Sequence, residues 1–277
     1  MNADRYKEII NSFDRLNNYA IEISSNLTGI TTNEDRFLYA TTIFSKLVCH
    51  ALSLRRISPS LNSDVVNELW DVSSACAVAR ALIESYEALA YISLNDITSD
   101  EREFRIKLWE LHDLQRRIKM LVQINSKNPE LSTIKNSSEL LHTEITQHTL
   151  FSNCSGNVKN KINKKEAPGF YLSQLERNNL SGINHAYHNT ATMALSQYVH
   201  TLPMAVHQLM NFRAGDPESL HMCSLPIQYS MAFLAKAISG MTEIFPIEFS
   251  NSSTEAAGDM EFWLNIAENG ISNIELD

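Results

Sequence analysis

The sequence predicts an all-α fold: a single bundle of about nine or ten helices around a long central helix, about residues 64–95. Three observations carry that expectation. The 277 residues include only eight glycines and seven prolines, and sheets need turns that consume both. Apolar residues recur at three- and four-residue spacing through most segments. The centre of the long helix, 76–92, is almost wholly Ala, Val, Leu, Ile and Tyr, as in a helix buried on most sides.

Each element has its own signal. Residues 5–27 place Ile9, Phe13, Leu16, Ala20, Ile23 and Leu27 on one helical face. Thr32 or Asn33 caps a second helix to about Arg55, with Phe37, Leu38, Ile43, Phe44, Leu47, Ala51 and Leu54 inside, and Pro59 breaks the pattern. Ser63 or Asp64 caps the central helix. Ser99 or Asp100 caps a fourth, to about Asn125, with Phe104, Leu108, Leu111, Ile118 and Val122 facing the core. Pro129 starts a weaker helix to about Leu150.

Residues 152–169 are rich in Ser, Asn, Gly and Lys and end in Ala167-Pro168-Gly169. They read as a surface or disordered loop separating the N-terminal and C-terminal helical halves of one domain, 1–277. Beyond it, helices are expected over 170–178, over 184–201 and from Pro203 to about Arg213. A longer one runs from the Asp216-Pro217-Glu218 start to about Ile244, with a kink expected at Pro226. Thr254 caps the last, through Phe262, Trp263 and Ile266.

Bulk properties exclude several function classes. A net charge of −9 makes a poor general binder of nucleic acid, so no DNA partner is expected. No segment reads as a run of roughly 20 apolar residues, and the polar start lacks a signal-peptide core. No membrane partner is therefore expected. Cys49, Cys76, Cys154 and Cys223 are isolated, and three of them sit in helical patterns as buried thiols do. That suits a reducing cytoplasm and neither a zinc site nor a disulfide framework. With no Gly-rich phosphate loop, GxSxG or HExxH, no cofactor is expected. Glu139-x-x-His142 has di-iron spacing but stands alone, so no metal is expected either.

Three polar stripes are the candidate sites. The first is Ser73, Arg80, Glu84, Glu87 and Tyr91 on the central helix, where charge in an apolar run must be paired or used. The second is Arg105, His112, Arg116, Lys119 and Gln123 on the fourth helix. The third is His185, Asn189, Thr192, Ser196 and His200, five uncharged polar groups on one helical face, as suits a wet cleft. Each stripe alone also suits a solvated face or hydrogen bonding within the bundle.

Two resemblances follow from these residues. The Arg105–His112 spacing resembles, at its loose limit, the Arg-x4–6-His element of the metal-independent HEPN ribonucleases. There the His implies an acid/base and the Arg a group steadying phosphate charge. Val78-Ala79-Arg80-Ala81-Leu82-Ile83-Glu84 and Ala194-Leu195-Ser196-Gln197-Tyr198-Val199-His200, with Pro203 after, resemble the Arg-x3-Glu and Leu-Ser-x3-His helices of a widespread, uncharacterised all-helical bacterial family. That resemblance covers roughly 64–208. It implies a cytoplasmic helical protein, marks Arg80, Glu84, Ser196 and His200, and suggests a phage-defence or toxin–antitoxin setting.

The leading expectation is a cytoplasmic bundle whose cleft, lined by Arg80, Glu84, His112, Arg116, Ser196 and His200, binds a small polar ligand or a protein partner. In it Arg80 and Glu84 form a buried ion pair, and His200 is the group that changes charge near neutral pH. One alternative is a metal-independent HEPN-like ribonuclease or toxin acting on RNA. In it His112 or His200 is the acid/base, and Arg80, Arg105 or Arg116 stabilises charge. The other is a structural subunit of a larger assembly, or a self-associating protein.

Overall fold

In the computed structural model, residues 1–29, 34–61, 70–245 and 253–271 are described, and they contain eleven α-helices and no strand. The all-α expectation holds. The chain divides into two compact units, residues 1–94 with 178–277, and residues 95–177.

The first unit is built on two helices, α3 (Val72–Leu89) and α10 (Pro217–Ile244), which pack on each other. Around them stand α1 (Ala3–Asn26), α2 (Asp35–Ile57), α8 (His185–Val199), the short α9 (Pro203–Met210) and α11 (Thr254–Asn269). The central position is thus shared: α10 buries more side chains than α3, including Met231, Phe233 and Leu234. Pro226 lies within α10 without ending it. Its carbonyl accepts the Ser230 hydroxyl at 2.6 Å.

The central helix is shorter than expected. Asp71 caps it by accepting the Ser74 amide at 2.9 Å. The caps expected at Thr32 or Asn33 and at Ser63 or Asp64 fall outside the described residues. At its far end α3 passes into a π-helical turn, Ala90–Leu94. Arg36 of α2 donates to the Ser93 carbonyl at 2.8 Å, and the Ser93 hydroxyl donates back to the Arg36 carbonyl at 3.0 Å. A Cβ on Gly240 of α10 would stand 2.5 Å from Leu94, so glycine permits this close approach.

Helix α2 is long and apolar enough to cross a membrane by length and composition, contrary to the expectation of no such segment. The same features suit a core helix, and its Phe44, Leu47, Ala51 and Leu54 lie in the core shared with α3. Cys76 and Cys223 are buried, and burial pushes the Cys76 thiol up to about 12. Cys49, expected inside, is exposed.

The second unit comprises α4 (Ser99–Gln123), α5 (Leu131–Gln147), a 3-10 turn (Thr149–Asn153) and α6 (Gly156–Asn163). The first residues of α7 (Gln174–Leu180) belong to it. Its core is Phe104, Leu108, Leu111, Ile145, Cys154, Val158, Ile162 and Ala167. Residues 152–169 are therefore not a plain loop. Ser155 caps α6, and Val158 and Ile162, one turn apart, bury its single apolar face. Ala167 is held at both backbone atoms: its amide donates to Gln115 at 2.7 Å and its carbonyl accepts from His112 Nδ1 at 2.7 Å. The core face of α4 ends earlier than expected, with Val122 exposed.

Candidate functional site

Helical spacing puts Arg80, Glu84 and Glu87 on one face of α3. That face meets α8, where His188, Thr192 and Ser196 repeat at i, i+4 and i+8. The two rows interlock.

Arg80 Nε donates to Glu84 Oε1 at 2.8 Å. Its Nη1 donates to the Thr192 carbonyl at 3.0 Å and also to Ser196 Oγ, 116 residues away in sequence. Ser196 donates to the same Thr192 carbonyl at 2.6 Å. One guanidinium is thus fixed by a carboxylate on its own helix and by two oxygens on the next. Nη2 of Arg80 and Oε2 of Glu84 make no hydrogen bond with any described residue. The pair is not buried as expected: the side chains are 33% and 58% exposed. It lies at the edge of the seam, where water and solutes reach it.

One turn deeper, His188 Nε2 donates to Glu87 Oε1 at 2.5 Å, with side chains 5% and 13% exposed. Phe233 of α10 packs edge-on against the imidazole, ring centres 5.8 Å apart. A charge-assisted hydrogen bond of this depth sets the register of the two helices. His188 was missed in the sequence, although the series His188, Thr192, Ser196 was there to read. It lies three residues from His185, so both fit a helical stripe, and only packing shows which one faces α3.

The remaining candidates separate. His185 bridges Asn178 and Asn189 at 2.9 Å each, within the α7–α8 region. His200 is exposed just past the end of α8, its side chain making no hydrogen bond or ion pair with any described residue. Tyr91 is buried in the π-helical turn, so the first stripe ends at Glu87.

Residues of the second stripe belong to the second unit, and there Arg105 corrects the expectation of a basic face. It is fully buried. Its Nη2 and Nε donate to Glu101 Oε1 at 2.6 and 3.1 Å, and Tyr171 donates to the same oxygen at 2.7 Å. Burial alone would raise the Glu101 pKa. The hydrogen bonds from Tyr171 and Arg105, with the charges of Arg105 and Arg102, outweigh it and hold the carboxyl below its ordinary value. The guanidinium has no exposed surface and is turned to Glu101, while His112 is turned to Ala167, so the two do not share an open face here. His112 holds the chain at Ala167, and Arg116 and Lys119 are exposed. Glu139 pairs with Lys165, and among the described residues no group of three His, Cys, Asp or Glu is placed to hold a metal ion.

Charge divides unevenly between the units. Residues 95–177 carry thirteen Lys and Arg against eleven Asp and Glu, the rest ten against twenty-one. The acidity of the chain belongs to the unit that contains the seam.

Fold and site together define an all-helical protein with a polar seam between two core helices. The chain belongs to DUF5677, a family of unknown function, whose sequence profile matches residues 47–217. The match takes in α3, the second unit and α8, and with them both rows of the seam. No curated protein and no solved structure matches the chain.

Proposed function

We propose that the protein binds a small polar ligand at the open edge of the α3–α8 seam, through Arg80, Glu84 and Ser196, with the His200 imidazole one turn beyond. The observation that carries this reading is the state of Arg80. Its guanidinium is positioned by Glu84, Thr192 and Ser196 and is still one third exposed. A pre-positioned charge with unused donors is what a binding site needs and a bare surface pair lacks. Nη2 offers two donors and the second Glu84 oxygen an acceptor, on one helix face. The ligand that complements them has an anionic acceptor beside an N–H or O–H donor, as α-amino acids and 2-hydroxy acids do.

The test is a thermal-shift panel of free α-amino acids and 2-hydroxy acids on the full chain, with calorimetric titration of any hit. Arg80→Ala and Glu84→Gln should each weaken a hit about tenfold or more, and Arg116→Ala should leave it unchanged. A panel without a hit, or hits indifferent to both seam substitutions, overturns the reading.

A further inference from the structure

A cavity of about 560 Å³ opens between α1, α8, α10 and α11, on residues that none of the three polar stripes includes. Its volume is that of a small-molecule site. All but one of its walls come from helices outside the family match, so it is a feature of this chain beyond the shared region.

Part of the wall is aromatic. Tyr187, Tyr229, Phe262 and Trp263 line the cavity, and Phe262 and Trp263 meet edge to face with ring centres 5.1 Å apart. Trp263 is held by its Nε1–H, which donates to Ser12 of α1, also on the cavity, at 3.3 Å. Such walls favour a flat ring, which gains area and stacking at once.

The charges at the cavity are already matched. Arg15 donates to Asp259 at 2.5 Å, with Glu255 at 3.8 Å, and Arg5 pairs with Glu8 at 2.9 Å. A ligand with net charge would lose hydration and meet no uncompensated partner, which is costly.

Hydrogen-bonding capacity, in contrast, is left over. The Tyr187 hydroxyl reaches only the carbonyls of Gln228 and Tyr229, at 3.5 and 3.4 Å, beyond the usual O–H···O range. Gln228 donates to Ser224 at 2.8 Å, while its Oε1 receives no hydrogen bond from any described residue. The His221 ring, also on the cavity, has no bond to any described residue. Unused hydrogen-bonding groups therefore stand beside aromatic rings in the same cavity.

We infer that this cavity binds an uncharged, planar nitrogen heterocycle, stacked against the aromatic side chains with its ring N–H directed to the Gln228 amide oxygen. The test uses three probes with one ring and three charges: indole, indole-3-acetate and tryptamine, titrated calorimetrically into the full chain. Indole should bind, and both charged analogues should bind at least about tenfold more weakly. Leu225→Trp, which projects a bulky ring system into the cavity, should weaken indole binding at least about tenfold. The size-conserving Gln228→Met should weaken it severalfold with its melting curve intact. Arg80→Ala should leave it unchanged, which separates this site from the seam. Three results each overturn the inference: no indole binding in the millimolar range, indole binding that Leu225→Trp leaves unweakened, or a charged analogue that binds as tightly as indole.

Discussion

Glu101–Arg105 in α4 and Arg80–Glu84 in α3 are the same two residue types at the same helical spacing, written in opposite order. In α4 the glutamate comes first, the favourable order for a helical pair, and Arg105 is fully buried. Its partner Glu101 is three-quarters buried, and Tyr171 donates to the same carboxylate oxygen. In α3 the arginine comes first, and the pair lies at an edge. There Arg80 reaches sideways to a carbonyl and a hydroxyl of the next helix. The first pair closes a core, and the second leaves donors and an acceptor for something else. Burial and the neighbouring chain, not residue type or spacing, decide which use a pair is put to.

The sharpest way to break that comparison is to remove each arginine. Arg105→Ala removes the buried cation from a largely buried carboxylate and empties a large volume in the second unit, and should destabilise by about 3–5 kcal/mol in urea unfolding. Arg80→Ala should lose about 1 kcal/mol or less. Comparable losses would make the seam a structural lock and end the contrast. The acid limb sharpens it further. Since the Glu101 carboxyl titrates below its ordinary 4.5, its contribution is full above that value and is lost as pH falls through the lower folded value. Glu101→Gln should therefore flatten the fall of melting temperature with acid. An unchanged acid limb would show that the carboxylate is not what the core is built around.

Between these extremes lies Glu87–His188, which belongs to the seam by position and resembles the core pair in burial. His188→Ala should destabilise by about 2–3 kcal/mol, because the buried Glu87 loses the imidazole's hydrogen bond and the imidazole's packing on Phe233 goes with it. Adding Glu87→Ala should cost little more, since the bond the two groups share is already gone. Independent, additive losses would mean that the two groups are not coupled and that the inner seam is ordinary packing.

How much of this was legible depends on what decided each feature. Periodicity located α1, α4 and α10 because their apolar faces are long and repeat locally. It lost α6, whose buried face is only Val158 and Ile162 among lysines and asparagines. The two rows of the seam were visible as polar stripes, and Arg80, Glu84, Thr192 and Ser196 do come together. The register was not visible, since His185 and His188 both fit one helical face and a contact with α3 selects between them. Arg105 was misread for a related reason: its partner Glu101 is shared with Tyr171, far along the sequence. Local pattern shows that a helix has a polar face, and only the fold shows what that face meets.

The smallest effect separates the two descriptions of Arg80 most cleanly. Exchanging the residues, Arg80→Glu with Glu84→Arg, puts the glutamate first and keeps composition, charge and spacing. If Arg80–Glu84 were only a surface pair, the exchange would be neutral or would stabilise by a few tenths of a kcal/mol, up to about 0.5. In this structure residue 80 also faces the Thr192 carbonyl and the Ser196 hydroxyl. A carboxylate there loses both donated hydrogen bonds and meets a carbonyl dipole of the wrong sign. The exchange should then destabilise by about 1 kcal/mol, and Ser196→Ala, made in the exchanged background, should recover almost none of it, because the Thr192 carbonyl remains. The sign of one small number thus decides whether α8 positions Arg80 or merely lies beside it.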